Sequence, residues 1–575
     1  PMALAFESKV QNLIFQMDQG SGRKVIHAVL FVLFACAVAA LYTFTNFQGL
    51  NDEGAFDSAQ LALNHAEQGE LMTRCVRPLS IWKVAAHSPT DDAAVMHHPD
   101  LLHPPLWPLM LSGVFRLTGI PTAGQPTTAY VNGWDYAPVV ASHVFTALAT
   151  LLVWLIGRKL FDHRVGMLAA ISFLVCDGIW RQSLLGAEWS AALFFVLGAF
   201  YAAILAADLP PGIGPQDDQG AAWRWLIPLM ISSVFTTAAF LTRYAAGFAA
   251  VAIFLFMGAS RRSRPWSKAG LYLVLAAVPV IPWVVRNIKV SGSAFGLALY
   301  NLLSDTYLFP GDALARSVTP TMPDALTAIY AVQLKAMANL REFAGQGFGL
   351  AGVGILLALF GAMYFHRFVR PATRTLRWSL LPALVLTILS AAAFGADSLR
   401  AMVFYWPLVM VFGWAFLLVL LDRRQFELRF LPPAVLTLVM FLSAFPLLLQ
   451  VLPPRTGLPY PPYFHRYIGW TVAMVEPDEC LTTDIPWATA WYGNRTSILL
   501  PRTLDGFYEI HNQYQPLAMA YFTTVTRDKP WVRGLSDPNA PEYSWYQIFS
   551  AGKVPANFPL TNGRFLAGTD QMILR

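Results

Sequence analysis

The stretch "VIHAVLFVLFACAVAALYTFT" (25–45) holds 21 residues without an acid, a lysine or an arginine, and "AMVFYWPLVMVFGWAFLLVLL" (401–421) repeats the pattern. About 20 apolar residues are what a helix needs to cross the hydrocarbon of a bilayer. Lipid offers the backbone no hydrogen bonds, so such runs must satisfy their own N–H and C=O groups as helices. Nine further runs have this character: 137–157, 165–180, 188–207, 225–241, 244–258, 268–286, 347–366, 378–395 and 431–451. The expectation is a polytopic α-helical membrane protein with about eleven transmembrane helices. Only 13% of the 575 residues are charged, against about a quarter in soluble domains.

The loops orient the chain. "GRKLFDHR" (157–164), "RRSRPWSK" (261–268), "HRFVRPATRTLR" (366–377) and "DRRQFELR" (422–429) are basic, as are Lys9, Arg23 and Lys24 near the start. An N-terminus on the cytoplasmic side puts all of them inside, as the positive-inside rule expects. The acidic loop 208–223 is the one poor fit. The net charge of +6 is thus a topology signal, with no nucleic-acid partner implied. The first helix is long and lacks a small-residue cleavage site, which reads as a retained anchor. "PPLWPLMLSGVFRLTG" (104–119) is short and proline-led, and reads as re-entrant or interfacial.

Three large pieces then fall on the outer side: 47–136, 287–346 and the tail. Residues 1–451 form the transmembrane unit, and 452–575 a small extracytoplasmic α/β domain. In the tail "CLTTD" and "TSILLP" read as strands around a short helix in "PWATAWYG", and "LAMAYFTTVT" (517–526) and "RFLAGTDQMILR" (564–575) read as strands. No fixed-period repeat or low-complexity tract is present. Cys36 and Cys176 lie in apolar runs and read as core. Cys75 and Cys480 share the outer side, and a disulfide between them needs an oxidising compartment.

Ionisable residues gather at the outer ends of the runs. Asp52 and Glu53 follow the first. Arg181 and Glu188 flank the turn in "WRQSLLGAEWSA", Arg243 sits in "FLTRYAAG", Arg286 ends "WVVRN", and Asp397 and Arg400 lie in "FGADSLR". Lys83, His97, His98, Asp100 and His103 are in the first outer loop. Each alone reads as a helix cap or a snorkelling anchor. Together, carboxylates facing arginines suit chemistry on a phosphate-bearing substrate: guanidinium groups bind phosphate oxygens, and a carboxylate takes a proton from a nucleophile. "HHPDLLH" (97–103) offers His97, His98, Asp100 and His103 as metal ligands or substrate contacts, though the spacing matches no zinc pattern.

The ordered series "DEG", "HPPLWPLMLSGVFRLTG", "GRKLFDHRVGMLAA", a carboxylate opening a run, "FLTRYAAG" and "PWVVRN" resembles the GT-C superfamily of membrane glycosyltransferases. The resemblance is to its family 39 branch, the protein O-mannosyltransferases and the lipid A aminoarabinose transferases. It runs over about 25–290, is weaker to 450, and is only similar in kind in the tail. It implies a sugar donor on a polyprenyl phosphate and an acceptor hydroxyl on a lipid, a cell-envelope glycan such as lipopolysaccharide, or a protein. It also implies a plasma (inner) membrane location with the tail outside. Asp52 matches the family's base, with Glu53 beside it. Glu188 stands where relatives commonly have aspartate, and Arg243 where they often have lysine. His103 precedes "PPL", where some relatives have lysine, so Lys83, Arg181, Arg286 and Arg400 are the further candidates for the donor phosphate. No cofactor is required; a divalent metal is unnecessary where arginines neutralise phosphate, and the histidines are where one would bind. A transporter or a non-catalytic envelope assembly subunit would use the same charges differently. A transporter would show inverted repeats and broken midplane helices, and neither is legible.

Overall fold

The computed structural model describes residues 21–87, 92–119, 131–207, 223–260, 264–346, 354–366, 368–424, 428–452, 463–565 and 571–575. Nearly all of the acidic loop 208–223, residues 261–263 of the basic loop 261–268 and the start of the run 347–366 therefore lie outside the described residues.

Among these, eight helices are long and apolar enough to cross a membrane: Ala28–Asn46, Gly133–Leu160, Trp189–Ala207, Arg224–Thr242, Pro265–Ser291, Pro371–Phe394, Trp406–Arg423 and Leu431–Val451. Their outer faces stay apolar and exposed, as lipid contact requires; Val29, Val140, Val234, Val274, Val385 and Leu438 are examples. The run 165–180 is not one straight helix. It breaks into His163–Leu174 and Asp177–Leu184, bent by 53°, and Asp177, the first residue of the second piece, is held by Tyr42 and Arg181. Tyr244–Gly258 and Gly354–Phe365 are shorter apolar helices. Leu106–Thr118, at 13 residues, is too short to cross.

The bundle has two chemically distinct ends. At one end the basic loops meet: Arg164 pairs with Asp422 at 2.9 Å, and Arg370 donates to the carbonyls of Lys159, Leu160 and Phe161. At the other end the first loop and the tail fold together. Asp135, where the helix toward Leu160 begins, accepts hydrogen bonds from Trp491 Nε1 at 2.9 Å and Tyr492 Oη at 2.7 Å.

The tail builds a sheet from β1 (Cys75–Val76), β2 (Cys480–Thr483), β3 (Thr496–Leu499), β4 (Leu517–Phe522), β5 (Gly563–Phe565) and β6 (Met572–Leu574), in the order β1-β3-β2-β4-β6-β5. The first four run parallel, and β6 and β5 are antiparallel. The sheet is therefore not confined to the tail, since β1 comes from the first loop. The stretch 564–575 is not one strand either: β5 and β6 pair with each other around residues outside those described. Alternation decides which core each residue joins. Leu481, Leu499, Met519 and Tyr521 share the core of the helical bundle. Cys480, Ile498, Ala520 and Phe522 face a second core with Phe507, Trp531 and Trp545.

The two outer cysteines are not bridged. Cys75 lies opposite Ser497, and Cys480 lies opposite Thr496 on the other side of β3. Two interstrand spacings make about 9.5 Å, beyond the roughly 7 Å that a disulfide spans.

Candidate active site

Helix Glu53–Gln68 begins where the chain leaves the first spanning helix. Asp52 is its N-cap, in extended conformation, and its Oδ1 accepts from Ala55 N at 3.1 Å. Glu53 in the first turn suits the positive end of the helix dipole. The helix stops at Gly69, whose φ of +80° is open to glycine without strain. Ten consecutive residues, Ala55 to Asn64, are buried. This is no surface amphipathic helix, and its polar residues need partners. Gln60 accepts from Arg74 N, Asn64 donates to Met72 O, and Asp57 pairs with Arg77 at 2.7 Å.

The fold brings four of the expected residues together around Asp52. Arg400 Nη1 stands 3.7 Å from Asp52 Oδ2. Glu188, immediately before the helix Trp189–Ala207, is close enough to act on Asp52 through its charge and is ion-paired with Arg243. The Arg243 guanidinium stacks 3.5 Å from the centre of the Trp189 ring, and its buried Nε has no hydrogen-bond partner among the described residues. Burial first, and then the charge of Glu188, push the Asp52 carboxyl up to about 6, with Arg400 pulling the other way. Asp52 is thus ionised at neutral pH and a stronger base than an exposed aspartate. Glu53 Oε1 meets Lys529 Nζ at 3.3 Å.

Other candidates are elsewhere engaged. Arg181 binds Asp177 at 2.8 Å, one turn away in the same helix, instead of reaching Asp52. Arg286 donates to the Asp100 carbonyl at 2.6 Å and to Asn287, and stacks on Trp283. Lys83 lies over the rings of Trp82 and Tyr300. The side chain of Asp397 is outside the described residues.

The histidines do not converge. His97 is exposed. His98 is buried, its Nδ1 bonded to Ala94 O at 2.8 Å, and burial lowers it to about 4. His103 lies between Asp100 at 3.3 Å and Asp57 at 3.7 Å. Burial pushes His103 down, but the two carboxylates outweigh it and raise it above its usual value. Asp100 is correspondingly held low: burial pushes it up, and His103 more than reverses that. No group of three or more histidine, cysteine or acidic side chains that could hold a metal occurs among the described residues.

Lys529, Asp57 and Arg77 were not legible as site residues. Asp57 does lie five positions after Asp52 on the same helix, and that spacing was the available signal. Lys529, in "VTRDKPW", carries none.

The family model of dolichyl-phosphate-mannose-protein mannosyltransferase matches residues 103–285. Among solved structures, ArnT from Cupriavidus metallidurans bound to undecaprenyl phosphate superposes with a TM-score of 0.57 and 12% identity, over 95% of this chain and 97% of that one. The oligosaccharyltransferase AglB from Archaeoglobus fulgidus, in complex with an inhibitory peptide and a dolichol-phosphate, superposes with 0.54 and 12%, over 87% of this chain and 70% of that one. No curated protein sequence matches. The chain has a multi-pass helical membrane fold similar to the folds of these two membrane glycosyltransferases. At this identity the likeness is one of architecture.

Proposed function

We propose that this protein transfers a sugar from a polyprenyl-phosphate donor to an acceptor hydroxyl at the outer face of the membrane, with Asp52 as the base. The observation that carries the reading is Asp52 itself. It is a mostly buried carboxylate, 24% exposed, raised to about 6, with the cation of Arg400 beside it and the Glu188–Arg243 pair behind. The acceptor oxygen attacks the anomeric carbon, the bond from that carbon to the phosphate oxygen breaks, and the hydroxyl proton passes to Asp52. Attack opposite the leaving group inverts the anomeric centre. The leaving polyprenyl phosphate gains negative charge, which in this reading the guanidinium groups of Arg243 and Arg400 receive. A positioned base contributes about a hundredfold or more. Lys83 and Arg286 are second-choice phosphate contacts, because their partners lie outside the cluster around Asp52. The undecaprenyl phosphate and dolichol-phosphate of the two solved structures support a lipid-phosphate donor.

The acceptor is a lipid or cell-envelope glycan in this reading, supported by the near-complete mutual coverage with ArnT. A protein hydroxyl is the second reading, favoured by the matched family model. The test is release of polyprenyl phosphate from a panel of polyprenyl-phosphate sugars, by wild type and by Asp52→Asn, with glycolipid or peptide acceptors. Release with one donor that the variant loses supports the reading. Undiminished release by the variant removes Asp52 from the chemistry.

A further inference from the structure

A side chain of the tail forms an ion pair with the carboxylate pair. Lys529 Nζ stands 3.3 Å from Glu53 Oε1, across 476 residues of sequence. Its position is built from the sheet. Asp484 follows β2 and is fully buried. Its two oxygens accept from Thr523 N, Thr523 Oγ1, Thr526 N and Thr526 Oγ1, at 2.7–3.2 Å. Thr523 follows β4. The carboxyl ends of two adjacent parallel strands thus tie down the turn Thr524–Asp528, which delivers Lys529. The second outer loop closes on the next residue: Gly311, at φ +59°, lies so near Pro530 that a Cβ there would be 2.9 Å from the proline ring. Asp312 beside it feels the Lys529 charge and is itself forked to the buried Arg316. First loop, second loop and tail therefore meet at this lysine. Nothing in the fold's own stability requires a cation from the tail on a half-exposed Glu53, since an exposed pair of this kind is worth little.

We propose that Lys529 is a positioning residue, holding Glu53 in the orientation that receives the acceptor next to Asp52. The proposal rests on the transferase reading above. The tail sheet thereby sets the acceptor geometry, while the donor end at Arg243 stays independent of it.

The test compares Lys529→Met, Lys529→Arg, Glu53→Gln and the double variant Glu53→Gln/Lys529→Met in detergent. In the transfer assay, Lys529→Met raises the acceptor KM roughly tenfold with the donor KM unchanged, because a misplaced group costs rate steeply. Lys529→Arg restores it, and Lys529→Met costs nothing further in the Glu53→Gln background. In a second arm that needs no activity, a water-soluble carbodiimide and an amine label carboxylates, read by peptide mass spectrometry. Glu53 labelling rises roughly threefold in Lys529→Met, as the loss of a weak pair allows, while the buried Asp484 stays unlabelled as an internal control for fold. Equal Glu53 labelling in wild type and Lys529→Met overturns the proposal. So does an additive cost in the double variant. A wild type inactive with every donor and acceptor overturns the transferase reading, and the labelling arm still decides whether Lys529 orients Glu53.

Discussion

Replacing Asp52 by Asn separates what this carboxylate costs the fold from what it contributes to the reaction. Its ordinary pKa is 3.8 and in the protein it is about 6. A gap of about two units corresponds to roughly 3 kcal/mol between the two protonation states. The sign follows from proton binding. Between pH 3.8 and 6 the folded protein holds a proton there that the unfolded chain has lost, so folding is penalised as pH rises through that window. Below pH 4 there is no penalty, and above about 6 it is complete. Asn is never charged and caps a helix as well as Asp does, so the hydrogen bond to Ala55 N survives. With solvent still reaching a quarter of the side chain, the expected gain for Asp52→Asn is about 1–3 kcal/mol at pH 7.5, or a few degrees of melting temperature. The assay is scanning fluorimetry of both proteins from pH 4.5 to 8. The gap should open as pH rises, while transfer by the variant is lost. In the wild type, transfer should fall tenfold per pH unit below about pH 6. A melting-temperature gap that does not change with pH, or an acid limb below pH 4.5, would refute the account of Asp52 as a base raised by burial and Glu188.

Arg243→Met should leave Glu188 buried beside Asp52 without its cation. The expected loss is about 2 kcal/mol, partly recovered in Arg243→Met/Glu188→Gln, by the same melting assay. His103 is raised above its unfolded value by Asp100 and Asp57, with Arg77 facing them. Its stabilisation is complete below about pH 6.5 and lost as pH rises through the folded value, so His103→Gln should destabilise at pH 6 more than at pH 9. The four cysteines should all alkylate after denaturation without reductant, and reductant should not move the melting temperature. A mass deficit of two labels would contradict the strand order that keeps Cys75 and Cys480 apart.

The residues around Asp52 were partly legible because membrane physics leaves a charge few places to go. Asp52, Glu188, Arg243 and Arg400 each interrupt or end an apolar run, so each was visible as a charge needing a reason. Arg181 and Arg286 gave the same signal, yet one binds Asp177 and the other a backbone carbonyl. A charge at a helix end announces that it has a partner and does not say which. His98 and His103 sit five residues apart but turn to Ala94 and Asp100, a divergence that spacing in a loop cannot encode.

The length and apolarity of the runs, the turn residues between them and the Asp52 cap at the start of a helix are local facts. They follow from the hydrophobic thickness of a bilayer and from which backbone groups need partners, and the amino-acid sequence by itself determined them. Which charges meet was decided by tertiary packing. Asp52 and Arg400 are brought together by helices far apart in the chain, Cys75 joins a sheet made otherwise from residues after 479, and Lys529 reaches Glu53 because Asp484 pins the turn before it. Long-range pairs of this kind leave no periodic trace, since each partner is specified only by where the other's helix or strand is carried.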